Sequence, residues 1–467
     1  MKKTNILFIL MDAVRADYLS CYGYLKKTSP AIDKIADEGT LFERCISVAP
    51  WTPPSHASFF TGLFPSQHGV HGEVSENLSL SSDTTTMAEL LSENGYHTAA
   101  ISPTPHISKK RGFNKGYNEF YEMWRNPELP INLLASKIKN KAVGWDHYTS
   151  AINYYAKKTF KVSQDMGKPF FLFINYLVAH SPYESPYPYY CKFMSNKQKI
   201  LYKNRVRVIA RKIDTYAHLV NDVSKISEED FDIIKAAYAG AIAYIDFRIS
   251  ELIDYLKKIG ILDETVIIIT SDHGENFGEH GLATHQFCLY NTLLHIPLII
   301  RYPEKVPQGL KTSEPVQTTD ILPTILDLLD ITWEERENLT GVSLFPIKET
   351  YHDYLFAGYA RPIQDLLNIF KRECPDYNYT ELDKGLKMIS DKKYKYIENS
   401  DGQGELYDWD KDFHEMNNLI EKRPEIAEML RQKLHKWHDS LYKMIEAPDS
   451  CEDDEETKKR LRALGYL

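Results

Sequence analysis

The sequence predicts an α/β protein with a mainly parallel central sheet sandwiched by helices, followed by a smaller α+β subdomain. Short apolar runs at Ile6 to Leu10, Thr98 to Ile101, Phe170 to Tyr176, Val266 to Ile269 and Pro297 to Ile300 are too brief for helices and read as buried strands. Helical stretches lie between them, and that alternation implies a parallel sheet covered on both faces. Near Phe345-Pro346 the rhythm changes to short strands with a single helix behind them.

Taken in order, Ile6 to Leu10 is followed by Asp12, at the strand end where ligands bind in open α/β sheets. Ser29-Pro30 opens a helix carrying Ile32, Ile35 and Ala36, and Gly39 closes it. The clearest helix runs from Glu228 to Ile259. Ser227 caps it, and Glu228, Glu229 and Asp230 offset the dipole in its first turn. Its apolar stripe, from Ile234 to Leu256 at helical spacing, reads as core packing. From Trp124 to about Ser224 a clean strand–helix rhythm is missing apart from Phe170 to Tyr176, which suggests an insertion covering a site around 125–225. Beyond Phe345, Asp353 to Tyr359, Lys393 to Ile397 and Glu405 to Asp408 read as antiparallel strands, and Pro424 to Met444 as an amphipathic helix. Ala447 to Glu456 is acidic and reads as a solvated linker.

Hydrophobic residues make up 43% and charged residues 26% of the 467 positions, which excludes a disordered or fibrous chain. A net charge of -9 argues against a nucleic-acid scaffold. One locally basic run opposes that average: Lys197, Lys199, Lys203, Arg205, Arg207, Arg211 and Lys212. It reads as a solvated helix face, with a rim that attracts an anion as the sharper alternative. The cysteines at 21, 45, 191, 288, 374 and 451 show no C-x-x-C pairing, which fits reduced thiols and a cytoplasmic setting. No run is long and apolar enough for a transmembrane anchor.

Three clusters sit where strands should end: Asp12, the stretch Pro50 to Ser58, and Ser271-Asp272-His273-Gly274-Glu275. An acid closing a buried strand is costly unless it is paired, hydrogen-bonded or on a metal. Asp272 and His273 together offer one hard oxygen and one imidazole nitrogen to a divalent ion. Pro53 and Pro54 suit a first helical turn, which makes Thr52 the expected N-cap, close to free backbone amides that attract anions.

In combination these segments resemble the sulfatase family of the alkaline-phosphatase superfamily. Asn5 to Asp12 with Arg15-Ala16-Asp17 and Cys21-Tyr22-Gly23 is similar to the family's opening strand, and Trp51 to Gly62 to its nucleophile segment, C/S-x-P-S-R followed by an apolar run and Thr-Gly. Ser271 to Gly281 (SDHGENFGEHG) resembles its second metal motif, and His180-Ser181-Pro182 a His-x-Pro element that touches the substrate anion. Asp320 to Leu329, Glu405 to Leu419 and the ending Arg460 to Leu467 extend the likeness over nearly the whole chain. The resemblance implies an alkaline-phosphatase-like catalytic domain over 1–345, a C-terminal α+β subdomain over 346–445, and a linker and tail over 446–467.

The departures from the family pattern define the expected chemistry. Thr52 stands where sulfatases carry the Cys or Ser that becomes formylglycine, and threonine cannot be oxidised to that aldehyde. His56 replaces the motif's Arg, and Ala13 the second of the paired aspartates. Ser102-Pro103-Thr104-Pro105-His106 replaces the Gly-Lys before Trp-His, and Thr284-His285 the later lysine. A threonine nucleophile belongs to phosphodiesterases and phosphotransferases of the superfamily. Tyr176, four residues before His180, leaves a second metal site incomplete.

The resemblance therefore implies one divalent ion (Mn, Mg, Ca or Zn) held by Asp12, Asp272, His273 and the Thr52 oxygen. Thr52 would act as nucleophile on a small anionic ester, with its hydroxyl activated by the ion. His180 and His56 would act on the substrate oxygens or the leaving group, and His285, Thr104 and His106 would bind substrate. A sulfuric ester hydrolase working without formylglycine and a catalytically dead binding scaffold are the alternatives. Natural substrate and oligomeric state are not legible in the sequence.

Overall fold

Seven consecutive residues without a charge, Asn5–Met11, form the central strand β1 in the computed structural model, buried along its whole length. The structure describes residues 4–71, 78–125, 146–206, 226–362, 367–368, 371–372, 375, 378–441 and 454–463. Eight more strands share the main sheet: β2 (Thr40–Ile46), β3 (His97–Ser102), β4 (Glu119–Glu122), β5 (Phe170–Tyr176), β6 (Thr265–Thr270), and, beyond a small hairpin of β7 (Asn276–Phe277) and β8 (Ala283–Thr284), β9 (His295–Arg301), β10 (Leu310–Thr312) and β11 (Val316–Gln317). The order is β10-β2-β9-β6-β1-β5-β3-β4, with β11 also paired to β2. Only β9 runs antiparallel to its neighbours in this sheet. The predicted fold class holds. The sequence could not orient β9, because an apolar run buried on both faces reads the same in either direction.

Alternation along β1 divides the interior. Leu7, Ile9 and Met11 join one core, and Ile6, Phe8 and Leu10 the other. The first core is covered by helices α1 (Pro30–Asp37), α4 (Thr149–Met166) and α5 (Glu228–Lys258). The second is covered by α2 (Thr52–Thr61), α3 (Met87–Glu93) and α6 (Ile321–Leu328). All ten residues of α2 are buried, as befits a helix with no charged face. Its Phe59 packs on Phe8 with ring centroids 5.5 Å apart, and its Phe60 on Phe173 at 4.9 Å. Each fully buried phenyl ring contributes about 1.5–3 kcal/mol, so the helix start is held firmly over the sheet.

The α4 helix revises the expected insertion over 125–225. Residues 149–166 are a core helix with Ala151, Ile152, Tyr155, Ala156 and Phe160 facing the sheet, whereas 126–145 and 207–225 lie outside the described residues. Of the basic run, Lys197 pairs with Glu229 at 2.6 Å on the surface, in keeping with a solvated face. Arg207, Arg211 and Lys212 fall outside the described residues. Strands β2, β4, β10 and β11 were not legible: β2 carries Glu43 and Arg44 amid its apolar residues, and the others are short.

The C-terminal sheet is an antiparallel meander of β12 (Leu355–Tyr359), β13 (Leu386–Ser390), β14 (Tyr394–Asn399) and β15 (Gly404–Asp408). Its Ile389, Tyr396 and Leu406 pack on Ala427, Leu430 and Leu434 of α7 (Pro424–Ser440). The acidic stretch expected as linker through Glu456 ends instead in helix α8 (Glu455–Ala463), tethered by the Arg125–Asp454 ion pair at 2.9 Å. Residues 447–453 and the closing 464–467 lie outside the described residues, as do Cys374 and Cys451; Cys21, Cys45, Cys191 and Cys288 are free thiols. No described helix is long and apolar enough to cross a membrane.

Asp246 of α5 joins two helices: its Oδ1 accepts the amides of Ala31 and Ile32, both at 2.9 Å, at the start of α1. Burial pushes its carboxyl up to about 7, against the two amide hydrogen bonds that pull it down. A raised folded-state value means that its stabilising contribution is complete below the ordinary carboxylate range and is lost as pH rises through about 7. Asp246→Asn keeps the acceptor oxygen without the charge. Relative to the parent, its stability in urea unfolding is expected to grow by about 2–4 kcal/mol between about pH 4 and pH 8; a difference that stays flat over that range would contradict this account.

Candidate metal and nucleophile site

The register of β1 against its neighbours builds the site. Leu10 lies opposite Thr270 on one side and Asn175 on the other, so Asp12 and Asp272 leave the same sheet edge two residues beyond paired positions. Asp12 continues the backbone pairing, donating its amide to Tyr176 O at 2.9 Å, while Asn175 Nδ2 donates to Asp12 Oδ2 at 3.3 Å. The alternation that turns Phe8 and Leu10 toward α2 points Asp12 the same way.

Serine hydroxyls fasten these strand ends together. Ser271 Oγ accepts the Val14 amide at 2.9 Å and lies 2.7 Å from Met11 O, joining the ends of β1 and β6. Ser47 Oγ at 2.5 Å and Ser55 Oγ at 2.8 Å both donate to Asp272 O, clamping α2 to the same loop. Gly274 has no room for a Cβ, which would meet Thr292 O, and its amide donates to Leu293 O at 2.7 Å. Ala13 adopts a left-handed φ of 60° and turns its amide onto Asp272 Oδ1 at 3.2 Å.

Within this frame, ligand atoms of Asp12, Asp272 and His273 lie within 4.8 Å of one another, the one such group of three among the described residues. All three side chains are fully buried. Thr52 Oγ1 sits 3.3 Å from His273 Nε2, and Asp272 Oδ2 is 3.5 Å from the same nitrogen. His273 Nδ1 faces Gly274 O at 2.9 Å, so it carries the proton and Nε2 turns a lone pair toward the carboxylates. Asp12 Oδ1 and Asp272 Oδ2 are buried without a hydrogen-bond partner. Burial, and then the charges of Asp272 and Glu275, hold the Asp12 carboxyl well above its usual range. Two orphaned carboxylate oxygens and an imidazole lone pair converging at this spacing fit a divalent cation.

Thr52 is the first residue of α2 rather than its cap. Trp51 holds the extended cap position and Pro53 follows at the second helical position. The one-residue shift matters, because the hydroxyl is then directed at the cluster and makes no capping bond.

The other predicted residues form two groups. His180 and His285 stand at the cluster: the His285 ring lies 4.3 Å from that of His273 and 4.7 Å from that of His180. His180 Nδ1 faces Ser181 O at 2.9 Å and His285 Nδ1 faces Glu275 Oε1 at 3.3 Å, which leaves both Nε2 atoms as acceptors. Burial lowers His180 to about 4, and burial with His273 and His180 lowers His285 well below its usual value. Both are neutral at pH 7. His106 stacks edge-on against Trp51 at 6.2 Å, and Thr104 Oγ1 accepts the His106 amide at 3.4 Å, a contact internal to their loop.

His56 is placed differently from the expectation that it faces substrate. It lies among the rings of Phe59, Phe60 and Phe173, donates from Nδ1 to Thr52 O at 2.9 Å, and stands 3.5 Å from Asp272 Oδ2. Arg15, in the opening motif, is held by Asp17 at 2.7 Å and Glu279 at 2.8 Å.

Sequence reading missed Asn175, which donates to Asp12 Oδ2. It had a readable signal, an amide closing an otherwise apolar strand. A separate cavity of about 570 Å³ lies between the start of α2 (Trp51, Pro54), the C-terminal sheet (Tyr359, Lys387) and α7 (Trp437), and none of the four clustered residues lines it.

The model of the Sulfatase family matches residues 4–331, and that of the N-sulphoglucosamine sulphohydrolase C-terminal region matches 278–440. An N-acetylglucosamine-6-O-sulfatase of Bacteroides thetaiotaomicron is 26% identical, over 94% of this chain and 88% of its own. An arylsulfatase of Clostridium perfringens is 27% identical, over 93% of this chain and 94% of its own. Among solved structures, the phosphonate monoester hydrolase of Agrobacterium radiobacter superposes with a TM-score of 0.72 at 22% identity, covering 94% of this chain and 96% of its own. That likeness is one of fold.

Metal-depleted protein is expected to take up one divalent ion per chain, read by elemental analysis, and to gain about 2.7 kcal/mol of stability at a hundredfold excess over Kd. Asp12→Asn and Asp272→Asn should each abolish stoichiometric uptake. Full uptake by either variant would place the ion elsewhere.

Proposed function

This chain belongs to the sulfatase family and is a hydrolase of sulfuric or phosphoric esters, and we propose that it cleaves phosphate esters through Thr52 as nucleophile. The observation that carries this reading is the Thr52 hydroxyl, 3.3 Å from His273 Nε2 at the edge of the Asp12–Asp272–His273 cluster. Asp12, Asp272 and His273 would hold one divalent ion. When bound, that ion supplies the positive charge that makes a neutral hydroxyl a competent nucleophile and balances charge in the transition state.

The chain's own groups do the rest. Thr52 Oγ attacks phosphorus in line as the ester oxygen departs, leaving a phosphothreonine that water, or an acceptor alcohol, then cleaves. The start of α2 contributes the positive end of its helix dipole; Pro53 and Pro54 carry no amide hydrogen, and the Ser55 amide donates to Trp51 O at 3.4 Å. His180 and His285, both neutral, can carry a proton to or from the oxygens that change charge. His56 holds the Thr52 carbonyl in place from behind, with Nδ1 3.5 Å from Asp272 Oδ2.

Threonine favours phosphorus for a chemical reason. A formylglycine hydrate has a second hydroxyl through which its ester can be expelled. Threonine has none, so its ester must be opened at the central atom, the step that in-line phosphoryl chemistry performs twice. Monoesters and diesters both suit the site. Similarity to sulfatases acting on sugars and aryl sulfates supports a second reading, sulfuric ester hydrolysis without formylglycine. A reducing, cytoplasmic setting belongs to the proposal and is supported by the free thiols of Cys21, Cys45, Cys191 and Cys288.

Metal-loaded enzyme is expected to turn over an aryl phosphate or aryl phosphodiester faster than the matching aryl sulfate. Thr52→Ser should retain activity, and Thr52→Ala should lose at least about 10³-fold in kcat. Dominant sulfate turnover would favour the second reading, and undiminished turnover by Thr52→Ala would remove the threonine from the chemistry.

A further inference from the structure

A buried ion pair outside the candidate site needs a reason, because taking two charges out of water costs about as much as their attraction returns. One such pair belongs to the C-terminal sheet. Lys395 of β14 is fully buried, and Glu415, in the loop after β15, is 1% exposed. Lys395 Nζ stands 2.5 Å from Glu415 Oε1. Both side chains close on Asn291, just ahead of β9. Lys395 Nζ donates to Asn291 Oδ1 at 2.9 Å, and Glu415 Oε2 accepts the Asn291 amide at 2.6 Å. Asn291 Nδ2 in turn donates to Phe413 O at 2.9 Å, so both ends of its side-chain amide are taken. Glu415 reaches this place with a left-handed φ of 56°, its amide held by Asp412 O at 2.9 Å.

Asn291 opens a single helical turn, Asn291–Leu294, and the next three carbonyls serve the candidate metal site. Thr292 O accepts the Glu275 amide at 3.0 Å, Leu293 O the Gly274 amide at 2.7 Å, and Leu294 O the Ser47 amide at 2.8 Å. Gly274 is the residue whose carbonyl receives His273 Nδ1 at 2.9 Å, and Ser47 Oγ donates to Asp272 O. The turn therefore touches the two backbone segments that orient the imidazole and the Asp272 loop. A Cβ on Gly274 would lie 2.0 Å from Thr292 O, so turn and loop are in direct contact.

Adhesion between the two sheets does not call for these charges. Ile46, Trp51, Leu289 and Leu294 already share an apolar core with Leu355, Met388 and Ile397 of the C-terminal sheet. Apolar burial is non-directional, whereas three hydrogen bonds on one asparagine fix its position and orientation.

We propose that Lys395 and Glu415 are positioning residues for the metal loop: the pair sets the Asn291–Leu294 turn, and through it the orientation of His273 toward a divalent ion. The proposal rests on the reading of Asp12, Asp272 and His273 as ligands of one ion. It holds whether the ester cleaved is phosphoric or sulfuric.

The test is ion binding by the metal-depleted full chain, followed by calorimetry, with Tm measured on the same samples. The parent is titrated first with Mn, Mg, Ca and Zn ions, and the tightest is carried forward. The double variant Lys395→Met with Glu415→Gln removes both charges together, so that neither is left buried alone. It is expected to bind the ion about 10- to 100-fold more weakly than the parent. Loaded with cobalt(II), it should also show a shifted visible absorption band, which reports the geometry of the ligands. Leu434→Ala, which opens a void in the separate core between α7 and the C-terminal sheet, should lower Tm but keep the parent's affinity and band. Should the double variant fail to fold, Asn291→Ala decides, with an expected loss of at least about threefold in affinity. Affinity within about twofold of the parent, or a parental cobalt band, in the deciding variant would overturn the assignment. So would an equal loss in Leu434→Ala, by tracing the effect to stability alone. If the parent binds no ion, the metal reading fails first and this proposal with it; if the parent binds and the variants match it, only this proposal fails.

Discussion

Two carboxylates with no solvent contact, Asp12 and Asp272, stand side by side at the end of paired parallel strands, and the rest of the site is arranged around that juxtaposition. Without a cation their repulsion and desolvation would oppose folding, and the raised Asp12 value expresses that opposition. Only part of the cost is met by the protein. Asp272 Oδ1 receives two backbone amides, from Ala13 and His273, and Asp12 Oδ2 one side-chain amide, while the two remaining oxygens have no donor. Two such acceptors converging with an imidazole nitrogen fit a cation between them.

The hydroxyls around the site convert this electrostatic demand into positional accuracy. Ser47 and Ser55 converge on a single carbonyl, that of Asp272, so the loop after β6 and the first turn of α2 cannot move separately. Ser271 does the same for the ends of β1 and β6. Behind α2, Phe8, Phe59, Phe60 and Phe173 form an aromatic wall that resists any retreat of the helix. Thr52 is therefore aimed by packing and by hydrogen bonds made three and five residues away from it, and its own hydroxyl faces His273.

Neutral histidines set the character of such a site. His180, His285, His56 and His106 are all pushed down by burial, so at neutral pH they accept hydrogen bonds or coordinate but do not repel a cation. That suits a centre that must first admit a divalent ion and then an anion. Positive charge comes from elsewhere: the helix start and the cation the acidic cluster fits.

By itself the sequence determined the fold class, the central strands and the membership of Asp12, Thr52, Asp272, His273, His180 and His285 in one site, because these features depend on local periodicity and on motifs contiguous in the chain. Tertiary structure alone decided the reversed direction of β9, the shift of Thr52 from cap to first helical residue, and the withdrawal of His56 into the aromatic core. Each of these depends on which surfaces meet across long separations. Local composition carries no record of that, because a buried arginine and a solvated one are written with the same letter.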